Sequence, residues 1–118
     1  MFNLAVVLIA FGAVIGLTMA VQHFKGRTPP SPALAALHGV LVGSGVIVLL
    51  LAVREAGFGG AAAWALLLFG VAALGGLYLL SHHLRHRALP NGVVVVHGLV
   101  AAVAFLILLT AVFLGPES

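Results

Sequence analysis

Cysteine is absent from the chain. That one absence removes disulfides, thiolate metal sites, iron–sulfur clusters and covalent c-type haem attachment from consideration. Acidic residues are nearly absent as well: Glu55 and Glu117 stand alone against five lysines and arginines. The resulting pI near 10.8 rests on too few charges to form the basic surface that a nucleic acid requires, so it is read as membrane topology and no nucleic-acid partner is expected. The start, Met1-Phe2-Asn3, carries no basic segment, and Lys25 and Arg27 follow the first apolar run rather than precede it. A retained helix is therefore expected in place of a cleaved signal peptide.

What is present in abundance is apolar surface. Of the 118 residues 64% are hydrophobic and only 6% are charged, a balance that water does not support in a domain of this size. A spanning helix needs roughly 20 mostly apolar residues. Four such stretches fit, at about Phe2 to Phe24, Ala33 to Val53, Ala61 to Leu84 and Asn91 to Leu114. Backbone in lipid must satisfy its own hydrogen bonds, and these runs lack the period-two alternation of a barrel. The expected fold class is all-α: one four-helix transmembrane domain over residues 1–118, in contact with the lipid bilayer.

Charge sets the expected orientation. Lys25 and Arg27 lie between the first and second runs, and Arg85 and Arg87 between the third and fourth, so both basic loops share one face. The positive-inside rule places that face in the cytoplasm of a bacterial-type inner (plasma) membrane, with both termini outside. Trp64, near the outer end of the third run, fits an interfacial aromatic.

The two halves of the chain superimpose at an offset of 60. Gly16-Leu17 falls on Gly76-Leu77, His23 on His83, Lys25 on Arg85, Arg27 on Arg87 and Pro30 on Pro90; after one dropped residue His38-Gly39 falls on His97-Gly98. The reading is a duplicated helical hairpin, repeat 1 over about 1–57 and repeat 2 over about 58–118. A two-helix repeat keeps its orientation, so the halves are expected to be related by a pseudo-two-fold axis along the membrane normal. In an up-down bundle the second and fourth helices are then diagonal, which sets His38 facing His97, and likewise His23 facing His83.

All six histidines fall at the basic face. Polar groups in a membrane are costly and mark either function or an interhelical hydrogen bond. His38 and His97 sit deepest, about 10 Å along their helices at 1.5 Å per residue. His23 and His83 are shallower, and His82 and His86 lie at a helix exit. For the deep pair the structural alternative is a hydrogen bond to Thr18 or to a backbone carbonyl. The functional alternative is axial ligation of a b-type haem, since two neutral imidazoles from diagonal helices can approach one iron from opposite sides. Seven residues along the same helix faces, His38 leads to Gly45, His97 to Ala104, His23 back to Gly16 and His83 back to Gly76. Those small residues leave space for a flat macrocycle, or serve close helix packing, as Gly12-x-x-x-Gly16 and Gly39-x-x-x-Gly43 also do. Lys25, Arg27, Arg85 and Arg87 are candidates for the haem carboxylates.

The combination of four membrane helices, facing histidines on the second and fourth, small residues beneath them and a basic rim resembles the small four-helix membrane cytochrome b-like haem proteins. The resemblance is architectural. It implies His38 and His97 as iron ligands, His23 and His83 as a looser second pair, and an oxidoreductase or electron-transfer role with a membrane quinone as candidate exchange partner. The outer half has no histidine, which speaks against a second haem there. Two alternatives stay open: a histidine-based site for a bare Zn, Cu or Fe ion in binding or transport, and a cofactor-free accessory subunit of a larger membrane complex or homodimer. Small multidrug exporters of this size are set aside because no carboxylate lies within an apolar run.

Overall fold

The computed structural model describes residues 1–26 and 30–115; Arg27 and Glu117 lie outside them. Four helices follow one another, α1 (Phe2–Phe24), α2 (Pro32–Ala56), α3 (Gly60–Leu84) and α4 (Asn91–Phe113). Each is long and apolar enough to cross a membrane, and together they form a bundle 45 × 22 × 19 Å. The chain is a multi-pass membrane protein. Leucine, valine and phenylalanine are exposed around the bundle, among them Phe11, Leu17, Leu74 and Leu106, as lipid rather than water demands.

Local chemistry fixes the helix ends. Ser31 accepts the Leu34 N–H at 3.1 Å and Pro32 follows at the first helical position, where its missing N–H costs nothing. Gly57 stops α2 with φ +94°. α3 ends differently from α1. Gly26 takes the left-handed position after α1 at φ +69°, while the repeat-related residue after α3 is His86, at φ +55°; its neighbour Arg87 donates its N–H back to His82 O at 2.9 Å.

Within each hairpin the helices pack closely, α1 on α2 and α3 on α4; α1 also borders α4, and α2 borders α3. Helices α2 and α4 are therefore diagonal. In the first hairpin the approach is close enough to need glycine: a Cβ on Gly45 would lie 2.6 Å from Ile9 Cγ1 and 3.2 Å from the Ile9 backbone nitrogen, and one on Gly12 would strike Val42.

Hydrophobic burial is concentrated at one end. Ala5, Val6 and Ile9 of α1, Leu49 and Val53 of α2, Ala65 and Phe69 of α3, and Ala104 and Leu108 of α4 form a continuous core at the end that holds the Gly57–Gly59 turn. At the histidine end no helical residue is buried across 13–24, 32–44, 73–84 and 91–103. The core stops one layer short of His38 and His97.

Candidate functional site

His38 of α2 and His97 of α4 meet across the bundle, ring centres 6.4 Å apart and ring planes at 81°. Each ring is tethered the same way by the other helix of its own hairpin. His38 Nδ1 donates to Gly12 O at 2.7 Å, and His97 Nδ1 donates to Ala72 O at 2.7 Å. Gly12 and Ala72 are related by the offset of 60, and the two histidines by 59 once the gap is passed, so equivalent positions make equivalent bonds. A carbonyl only accepts, so Nδ1 carries the proton in both rings, and in the neutral imidazole Nε2 is left as the lone-pair nitrogen. A backbone carbonyl is thus the partner of the deep histidines; Thr18 instead bonds its own helix at Val14 O, 2.9 Å away.

Gly16 and Gly76 are what let these rings lie where they do. A Cβ on Gly16 would sit 2.8 Å from His38 Cε1, and one on Gly76 3.1 Å from His97 Cε1. The glycines therefore accommodate the deep histidine across the hairpin, not the shallow histidine on their own helix. Gly75 stands beside them, 3.5 Å from His97 Cβ by the same construction. Gly45 and Ala104 differ from expectation in place: both are buried, Gly45 against Ile9 and Ala104 within the hydrophobic core. They serve helix packing below the histidine layer, because a seven-residue step along α2 or α4 leads into the packed end.

The shallow histidines do not pair symmetrically. His23 Nε2 donates to Asn91 Oδ1 at 2.7 Å, joining α1 to the first turn of α4 and so one hairpin to the other. The residue of repeat 1 equivalent to Asn91 is Pro32, which has no side-chain acceptor, and His83 has no matching bond. His82 Nδ1 donates to Tyr78 O at 3.1 Å and its ring lies 4.6 Å from that of Tyr78. His86 falls beyond the end of α3, so His82 and His86 do not share a helix face. Among the described residues no three His, Cys, Asp or Glu side chains cluster as a metal site would require.

Lys25, Arg85 and Arg87 are exposed at the histidine end, where Lys25 and Arg85 follow the last residues of α1 and α3. Glu55, the only described acid, lies at the opposite end near the α2–α3 turn. Asn91 is the site residue that sequence reasoning passed over. Its signal was present, as a lone amide in an apolar first turn at the depth of the shallow histidines. Compared with known protein families, characterised proteins and solved structures, the chain matches none.

Proposed function

We propose that the chain is a small b-type membrane cytochrome that holds one haem between α2 and α4 through His38 and His97 and transfers electrons. The observation that carries this reading is the separation of the two rings. With metal–imidazole bonds of about 2.0–2.1 Å and roughly 1.1 Å from ring centre to nitrogen, imidazoles on opposite sides of one metal have centres about 6.3 Å apart. Here they are 6.4 Å apart. Both Nδ1–H groups are committed to carbonyls, the arrangement that fixes tautomer and ring orientation in metal-bound histidines and leaves Nε2 for the metal. The layer that holds the rings is also where hydrophobic packing gives out.

A macrocycle supplies four nitrogens of its own, so a haem would need only the two protein ligands this bundle offers; a bare Zn, Cu or Fe ion wants more, and among the described residues no third His, Cys, Asp or Glu joins the pair. Held by both His38 and His97, a haem would supply electron transfer rather than oxygen binding. The basic loops face the cytoplasm of a bacterial-type plasma membrane, Lys25 stands at the rim to meet haem carboxylates, and a membrane quinone is the exchange partner that lipid-embedded chemistry makes available. The test is haem content. Protein made with adequate haem supply and purified in detergent is expected to carry about one b-type haem per chain by pyridine haemochrome assay; chain isolated without haem overturns the reading.

A further inference from the structure

The hairpins are alike in their histidines but not in their outer surfaces. Between α3 and α4 a groove of about 410 Å³ runs along the lipid-facing side, lined by apolar side chains, with His97 in its wall and Pro90 and Gly92 at its end. Its α4 wall spans positions 90–100, about 15 Å of axis at 1.5 Å per residue, from the middle of the bundle to the basic rim. The first hairpin carries larger side chains at the equivalent positions. Where the groove is lined by Val71, Gly75, Val93, Val96 and Val100, the repeat-related positions hold Phe11, Ile15, Leu34, Leu37 and Leu41. Every one of these five differences removes side-chain volume from the second hairpin.

The groove also has a charged end. The loop that joins α3 to α4 leads into that end through Pro90, and it carries Arg85 and Arg87, both exposed; among the described residues the one carboxylate, Glu55, lies at the other end of the bundle. An apolar groove open to lipid, with two exposed arginines in the loop that leads into its Pro90 and Gly92 end, matches one occupant. We infer that the α3–α4 groove is a binding site for an acidic phospholipid, with an acyl chain along Val93, Val96 and Val100 and the phosphate at Arg85 and Arg87. Guanidinium pairs with phosphate in a bidentate fashion, and clustered bases at a helix–lipid boundary select anionic headgroups. His97 is shared between the groove wall and the histidine layer, but the lipid contacts use the valine wall and the two arginines rather than the imidazole nitrogens.

The probe is a detergent-purified chain equilibrated with equal amounts of phosphatidylglycerol and phosphatidylcholine of the same acyl composition, with bound lipid read by native mass spectrometry. Wild-type protein is expected to retain phosphatidylglycerol over phosphatidylcholine by about tenfold or more. R85Q/R87Q is expected to bring that ratio to near one while helicity by circular dichroism stays unchanged. V93L/V96L/V100L, which installs the residues of the first hairpin, is expected to reduce retention of both lipids. A ratio near one in the wild type, a preference that survives in R85Q/R87Q, or a groove filled by a second copy and seen as a lipid-free dimer would overturn the inference.

Discussion

His38 and His97 reach each other from diagonal helices, ring centres 6.4 Å apart, although α2 and α4 border only α1 and α3. Glycine makes that meeting possible. Gly16 and Gly76 contribute no side chain at the level of the rings, so each imidazole lies over its neighbouring helix and bonds a carbonyl one turn further along. Restoring a methyl group should undo this. Gly16→Ala places Cβ 2.8 Å from His38 Cε1 and Gly76→Ala places it 3.1 Å from His97 Cε1, so both variants are expected to lower haem occupancy, Gly16→Ala the more. Overpacking of this kind costs about 1–3 kcal/mol. Haem-to-protein ratio after purification checks the order of the two effects.

The close approach of α1 to α2 depends on a second pair of glycines. Gly12→Ala and Gly45→Ala would each press a methyl group against the facing helix, with the Ile9 backbone nitrogen 3.2 Å from the new atom at Gly45. Each is expected to destabilise the bundle by about 1–3 kcal/mol. The second hairpin already carries Ala72 and Ala104 at the equivalent places, so Ala104→Gly should leave helix contact intact and cost less than the change at Gly45. Reversible unfolding in mixed detergent micelles measures all three.

The His23–Asn91 bond joins the hairpins at the end where no helical residue is fully buried. Hydrogen bonds between membrane helices contribute about 0.6 kcal/mol on average and up to roughly 1.7. A double-mutant cycle of His23→Ala and Asn91→Ala is expected to return a coupling energy in that range, because the two residues act through each other. Additive effects of the two substitutions would show that the bond carries no energy.

The left-handed residues after α1 and α3 offer a contrast within one chain. Gly26 adopts its positive φ without a Cβ, whereas His86 holds φ +55° with one. Replacing His86 by glycine is expected to stabilise the protein by about 0.5–1 kcal/mol. Gly26→Ala is expected to destabilise it by a similar amount. Thermal unfolding followed by circular dichroism separates the two signs.

How far the sequence discloses this arrangement depends on the range of the interaction. The helices are legible because hydropathy reports them directly, and α1 spans Phe2–Phe24 as its apolar run does. α2 runs three residues beyond Val53, through Arg54 and Glu55 to Ala56, because charge ends a membrane span but only Gly57 ends the helix. The meeting of His38 with His97 follows from the repeat and the diagonal placement of α2 and α4. The partners of Gly16 and Gly45 do not, because a seven-residue step describes one helix face and both glycines contact the helix opposite. The bond from His23 to Asn91 crosses 68 positions and breaks the repeat symmetry at Pro32, so a symmetry argument points to His83 instead. Rotation of each helix about its own axis is the quantity that hydropathy leaves open, and every such difference traces to it.

The most direct measurement is the reduced-minus-oxidised absorption and low-temperature electron paramagnetic resonance of the wild type beside His38→Ala and His97→Ala, all made with the same haem supply. The account predicts a low-spin bis-histidine b-type signature in the wild type, lost in both single variants while helicity is retained. Wild-type protein without haem, or a low-spin signature that persists in either variant, would contradict it.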